Sequence, residues 1–226
     1  DYDQQTTFAD NPVSVALGFE MAGARRIHVV DLDGAKEGQR TQADEIRAVV
    51  QSVRVPIELG GGLRSITDVA AAFAEGVDRV VLGTAAIENP GLVEKALVQF
   101  GPNRVLIGLD AREGIIAVSG WTAESSLEAT DLLDRMASIG VERFIYTDIT
   151  RDGTMTSPNF DAVQEMVNHG SHAGNVRVIA SGGIASIEHL RRLAEIGVEG
   201  AIVGSAVYRG TLNLEQAIAE LAPGTD

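Results

Sequence analysis

The sequence predicts an α/β fold, a (β/α)₈ barrel of parallel strands built from two repeated halves, and three observations carry that prediction. Short runs rich in Val, Ile and Leu alternate with helical runs, roughly 30 residues apart, the rhythm of strands joined by crossover helices. The strand-like runs lack the polar alternation of a half-exposed sheet, as expected of parallel strands covered on both faces. The third observation is an internal repeat. Residues 55–87 (VPIELGGGLRSITDVAAAFAEGVDRVVLGTAAI) align without a gap on residues 176–208 (VRVIASGGIASIEHLRRLAEIGVEGAIVGSAVY). Gly61 and Gly182, Gly62 and Gly183, Ser65 and Ser186, and Gly83 and Gly204 all differ by 121. A doubly wound sheet satisfies the rhythm; two half-barrels of four βα units satisfy the repeat as well.

The expected strands are Arg26–Val30, Pro56–Leu59, Arg79–Leu82, Val105–Leu109, Phe144–Thr147, Arg177–Ala180 and Ala201–Val203. Helices fall between them. Asn11-Pro12 and Asn89-Pro90 each offer an N-cap followed by a proline at the first helical position. Ser65 with Asp68, and Ser186 with His189, place a hydroxyl ahead of an apolar-periodic run, the first pair having the acidic partner of a capping box. Gly76, Gly140 and Gly197 mark helix ends.

At 226 residues and 45% apolar side chains, with aromatics only 4%, the chain suits one domain with an aliphatic core, residues 1–226, its halves meeting near residue 103. There is no Cys, which excludes disulfides and thiolate metal sites. No apolar run approaches a membrane span and no signal peptide is visible, so a soluble cytoplasmic protein is expected. The net charge of −14 argues against nucleic acid. It does not argue against a small anion, which backbone amides and helix N-termini can hold.

Two pairs of glycine turns suggest such an anion. Gly60-Gly61-Gly62 and Ser181-Gly182-Gly183 each end one strand of a half, and Gly83-Thr84-Ala85 and Gly204-Ser205-Ala206 end the next. A phosphate needs closely approaching N–H groups, which residues without Cβ permit, and a neighbouring hydroxyl. Any one of these glycines could simply make a tight turn; four in matched pairs point to two phosphate grips and a small substrate phosphorylated at both ends. Arg64 could add a guanidinium to one grip or lie on the surface, since its counterpart in the repeat is Ala185. Carboxylates at strand ends, Asp31, Asp110 and Asp148, are the acid–base candidates, each of them also readable as a cap. Asp110 closes the apolar run Val-Leu-Ile-Gly-Leu, where desolvation would raise its pKa and let it donate a proton. His28 is expected near the barrel mouth, and the four histidines show no metal-ligand spacing.

The stretches HVVDLDGA (28–35), ELGGGLRS (58–65), VVLGTAA (80–86), GLDAREGIIAVSGW (108–121), YTDITRDGTMTSPNF (146–160), IASGGIAS (179–186) and IVGSAVY (202–208) together resemble the HisA-type phosphoribosylformimino-AICAR phosphate isomerase family of histidine biosynthesis. The resemblance covers essentially the whole sequence. It implies an Amadori rearrangement of an aminoaldose to an aminoketose with no metal or organic cofactor. By motif, Asp110 resembles the family's proton donor and Thr154 its helper near the substrate ribose. Trp121 resembles an aromatic in a mobile loop that stacks on the substrate imidazole, although it could equally anchor that loop. A monomer is expected.

The family's proton acceptor lies in a strand for which this sequence has no counterpart, and the first half shows three strands against four in the second. The sequence therefore reads as an incomplete stretch of a longer chain. Taken as it stands, it should isomerise poorly and leave two strands with unpaired edges. Three alternatives share these motifs: the cyclase sister family, a bifunctional isomerase also accepting phosphoribosylanthranilate, and a non-catalytic bis-phosphate binder. Ser119, where bifunctional relatives carry arginine, speaks against the second.

Overall fold

The computed structural model describes residues 8–9, 11–118, 120–121, 123–174 and 176–221. Most of the opening segment expected to be a loop, and Ser119, therefore lie outside the described residues. The elements run α1 (Pro12–Met21), β1 (Ile27–Val30), α2 (Leu32–Glu37), α3 (Ala43–Ser52), β2 (Ile57–Gly60), α4 (Ile66–Ala74) and β3 (Arg79–Leu82). They continue α5 (Thr84–Glu88), α6 (Pro90–Phe100), β4 (Val105–Arg112), β5 (Ile115–Val118), β6 (Ala123–Glu128), α7 (Ala129–Ser138) and β7 (Arg143–Asp148). The last are α8 (Phe160–His172), β8 (Arg177–Ser181), α9 (Ile187–Ile196), β9 (Gly200–Ile202), α10 (Ser205–Tyr208) and α11 (Leu214–Leu221).

Seven of these strands pair in parallel in the order β1-β2-β3-β4-β7-β8-β9, a nearly closed barrel wall with the helices outside. All seven match expected strands to within a few residues. The stretch after Leu109 differs. There β4 runs on to Arg112 and folds back through β5 and β6 as an antiparallel hairpin, so the loop expected to carry Trp121 is a folded extension of the sheet.

Strand parity sorts the core. On β4, Val105, Ile107 and Leu109 join Phe144, Tyr146, Val178 and Ala180 in the layer against the helices. The opposite parity fills the barrel, where Val81, Leu106, Ile145 and Ile179 form a cluster with Ile202 against it. At the amino end of the strands the interior is charged, which the apolar reading of the strands did not anticipate. Arg143 is 5% exposed and donates to both carboxylate oxygens of Glu199 at 2.9 Å and to Asn103 at 2.8 Å. Glu58, 2% exposed, lies 3.0 Å from His28 and 3.9 Å from Arg79. Arg143 escapes the cost of a buried, unpaired charge because its partners surround it.

The helix starts follow the local chemistry. Asn11 accepts from the amides of Val13 and Ser14, and Ser65 and Asp68 form the full capping box. Asn89 is the exception: it stands at the N-cap of α6, but its side chain makes no capping bond and Pro90 alone sets the entry.

Candidate active site

Because the seven strands are parallel, every turn at a carboxyl end opens toward one mouth. The glycine turns follow β2 and β3 on one side and β8 and β9 on the other, with β4 and β7 between them. The repeat reproduces the backbone closely. Gly61 and Gly62 have φ of 94° and 69°, and Gly182 and Gly183 have 92° and 74°. Gly83 (φ −95°, ψ −99°) and Gly204 (φ −116°, ψ −89°) share a conformation.

Part of this geometry belongs to the fold itself. A Cβ on Gly61 would lie 2.2 Å from the carbonyl oxygen of Asp31, and one on Gly62 2.6 Å from that of Gln39. In the second half, Asp148 and Ser157 carbonyls occupy the same places, 2.9 and 2.5 Å from a Cβ on Gly182 and Gly183. Each Gly-Gly pair is thus overlaid by the loop that follows the preceding strand. At Gly83 and Gly204 a Cβ would meet nothing within 4 Å, so crowding does not explain glycine there. Thr84 and Ser205 directly follow as the first residues of α5 and α10.

Parity also separates the three aspartates. Asp110 follows Leu106 and Gly108 on the inward face of β4, and the register sets it beside Thr147 of β7, which in turn faces Ser181 of β8. Asp31 and Asp148 fall on the outward parity and are corrected here from acid–base candidates to structural residues, Asp31 as the N-cap of α2 and Asp148 as the anchor of the loop after β7. Asp31, 2% exposed, accepts from the amides of Gly34 (2.7 Å), Thr41 (2.8 Å) and Gln42 (3.1 Å) and from the Thr41 hydroxyl (2.7 Å). Burial alone would raise its pKa, but these bonds together hold it below the usual carboxylate value. Asp148 accepts from the amide and hydroxyl of Thr150 (2.9 and 2.6 Å) and from the Asn159 amide side chain (2.9 Å).

Asp110 has the opposite electrostatics. Burial pushes its pKa up, against hydrogen bonds from the Trp121 indole and the Thr147 hydroxyl. A carboxyl so placed keeps its proton nearer neutrality than a solvated aspartate does. The indole contact is direct, Nε1 donating to Oδ2 at 2.9 Å. Trp121 is 38% exposed and holds a left-handed backbone, φ 69°. The indole of Trp121 thus caps Asp110. Trp121→Phe would remove a bond that lowers the acid's pKa, so the alkaline limb of the kcat/KM profile is expected to move to higher pH. An unchanged limb would show that the contact does not govern the acid.

Two residues of the β7–α8 region were not singled out in the sequence. Thr147, 6% exposed, is the hydroxyl that reaches Asp110. Thr154, expected in the helping role, instead donates its hydroxyl to the Arg151 carbonyl at 2.6 Å and lies 3.0 Å from the Thr156 hydroxyl, bracing its own turn. The second is Asp152. It keeps an exposed surface, yet desolvation of its carboxyl, and after it the charge of Asp110, push its pKa up. Asp110 and Asp152 therefore titrate as interacting carboxyls. The signal for Thr147 was available: alternation along Phe144–Asp148 puts Thr147 inside and Asp148 outside. The turn that carries Asp152 approaches the second grip, a Cβ on Gly153 lying 4.0 Å from the Ser205 hydroxyl.

Arg64 reaches Glu88 at 3.3 Å, in a cleft of about 350 Å³ beside the first grip that Lys36, Gly38 and Asn89 also line. His28 faces the interior and pairs with Glu58, below the mouth rather than at it. Among the described residues, no group of three or more His, Asp or Glu has the geometry to hold a metal ion.

The fold, and a mouth built from carboxyls and glycine turns, define the class: a (β/α)₈-barrel enzyme. The particular family follows from sequence comparison. A family model described as histidine biosynthesis protein matches residues 1–213, and the chain belongs to that family. A relative from Chloroflexus aggregans is 52% identical over 219 residues, 97% of this chain and 89% of its own length. One from Herpetosiphon aurantiacus is 49% identical, covering 99% of this chain and 91% of the relative. Both are named isomerases of 1-(5-phosphoribosyl)-5-((5-phosphoribosylamino)methylideneamino) imidazole-4-carboxamide. With most of each relative's length matched, the expectation of poor isomerisation finds no support in these comparisons.

Proposed function

We propose that the protein is the isomerase of histidine biosynthesis that rearranges this bis-phosphorylated aminoaldose to the corresponding aminoketose. The observation that carries the reading is the arrangement of the mouth. Asp110 and Thr147 stand on neighbouring central strands, with a glycine grip of the same backbone form one strand away on either side. The two phosphoribosyl groups in the relatives' names supply the two anionic ends that such a clamp would take.

In an Amadori rearrangement the sugar ring must first open, which needs a proton delivered to the ring oxygen, and a proton must then leave the adjacent carbon. Asp110, whose pKa burial pushes up, is suited to the first step, and Thr147 holds its carboxyl in place. Asp152 is a second carboxyl near it, its own pKa pushed up by burial and then by the charge of Asp110. Trp121 leaves Asp110 to cover the substrate's imidazole. The grips are Gly61, Gly62, Gly83 and Thr84 at one end and Ser181, Gly182, Gly183, Gly204 and Ser205 at the other. All of these groups come from one chain, so a monomer suffices.

The chain 1–226 acts as one barrel domain on a small molecule in the cytoplasm. Its charge of −14 disfavours nucleic acid, and among the described residues no helix is long and apolar enough to cross a membrane.

Gly204→Ala and Gly83→Ala test the grips. Neither Cβ meets protein atoms within 4 Å, so the fold should stand. Each methyl would block approach of a phosphate to the backbone, and the loss of a charge-assisted hydrogen bond should raise KM about 10-fold or more. Steady-state assays of the purified variants would read this; a KM equal to the parent's in both variants would remove the grips from the mechanism.

A further inference from the structure

The two halves anchor the helix behind each grip with the same bonds but with different chemistry. In the first half the Ser65 hydroxyl accepts from the Asp68 amide at 3.2 Å, and the Asp68 carboxylate accepts from the amides of Ser65 (2.9 Å) and Arg64 (3.3 Å). In the second half the Ser186 hydroxyl accepts from the His189 amide at 3.3 Å, and His189 Nδ1 stands 3.2 Å from the Ala185 amide. The offset of 121 maps Arg64 onto Ala185, Ser65 onto Ser186 and Asp68 onto His189. An imidazole has taken the place of a carboxylate. A backbone N–H can only donate, so Nδ1 must be unprotonated for this bond to exist. Ala185 ends the turn Gly182-Gly183-Ile184, so the bond ties the second grip to α9.

We infer that His189 is a positioning residue for the second grip, a proton-sensitive latch that holds the Ala185 amide while neutral and lets it go when charged. Protonation would remove the acceptor and place a cation at a helix N-terminus, where the macrodipole opposes it. The surroundings favour the neutral form on balance. Burial lowers the imidazole's pKa below its ordinary 6.5, against the pull of neighbouring Glu188. The ring meets Phe160 of α8 edge-on at 5.8 Å, and the guanidinium of Arg192 lies 4.1 Å from the centre of that same Phe160 ring. The other charged or titratable side chains on the packed elements are Asp161, Glu165, His169 and His172 of α8, Arg191 and Glu195 of α9, Glu215 and Glu220 of α11, and Arg151, whose Cβ borders Gly183. The first half has no imidazole at the matching position, so the latch belongs to the second grip alone.

The inference rests on the phosphate-binding role of this turn, and the test separates the two. KM and kcat are measured from pH 5.5 to 8 for the parent chain and for His189→Asp, which installs the first half's acceptor. The substrate's phosphates also titrate near pH 6, and the ratio of the two proteins at each pH cancels that effect. The expected result is a parent-to-variant KM ratio that rises about 3- to 10-fold as pH falls below 6.5, the scale of one hydrogen bond, with an unchanged kcat ratio.

Thermal melts over the same range give a readout that needs no turnover. A histidine whose pKa is lower folded than unfolded costs nothing above the unfolded value and destabilises the fold as pH falls below it. The parent's Tm should therefore drop relative to His189→Asp below about pH 6.5. A flat Tm difference overturns the latch. A Tm difference that falls while the KM ratio stays flat overturns the link to the grip. Absence of turnover at every pH, with the Tm difference intact, strikes at the proposed function and leaves the latch standing.

Discussion

Asp110→Asn is expected to lower kcat by about 10²- to 10⁴-fold, the range for losing a positioned general acid, with little change in KM. Asparagine keeps the shape and can still accept from the Trp121 indole, so the loss isolates the proton. Stability should move the other way. The folded chain binds the Asp110 proton more tightly than the unfolded chain, because burial raises the pKa above its ordinary 3.8. The cost of ionising it in place is absent below the unfolded value and grows as pH rises toward the folded one. The amide carries no such cost, so the variant's Tm at pH 8 should equal or exceed the parent's. A variant with near-parental kcat would end the assignment of Asp110 as the acid; one that melts earlier at pH 8 would contradict its electrostatics.

Gly61→Ala should be the most damaging small substitution at the mouth. Its Cβ would sit 2.2 Å from the Asp31 carbonyl oxygen and within 3 Å of the Asp31 amide nitrogen, at a φ of +94°. No rotamer relieves an overlap with backbone. Moving Asp31 would break four hydrogen bonds to its carboxylate. A loss of about 4 kcal/mol or more follows, or failure to fold. Gly182→Ala, whose nearest contact is 2.9 Å, should cost less, and Gly204→Ala least. Denaturant midpoints for the three variants would fix the order. Equal midpoints for Gly61→Ala and Gly204→Ala would mean that the loop after β1 is free to move.

Much of this architecture could be read from residue order because the repeat is exact in spacing. One constant offset paired Gly61 with Gly182 and Gly83 with Gly204, and the backbone angles of each pair match. Burial on both faces made the seven strands uniform and easy to place. The same uniformity hid their parity, which is why Asp31 and Asp148 stood level with Asp110 as candidates although their side chains point to the helices. The hairpin of β5 and β6 was missed because it is local and antiparallel, outside the βα rhythm. Thr147 was passed over for Thr154 because a threonine inside an apolar strand attracts less notice than one in an Asp-Gly-Thr turn. Asp152 gains its meaning only from Asp110, a neighbour 42 positions away in sequence, and no local pattern encodes that.

Among the described residues, three other than glycine adopt a left-handed backbone: Glu113, Trp121 and Met155. All three belong to the two segments that border the acid, the hairpin and the bend after β7. Each such conformation holds on the order of 1 kcal/mol or more in an L-residue, a reserve the rest of the barrel keeps in check. Durability and turnover therefore compete in one small neighbourhood of this protein. Efforts to harden it have a safe starting point at Glu113, in the turn between β4 and β5, whereas relaxing Trp121 would trade endurance against the placement of the indole that guards the acid.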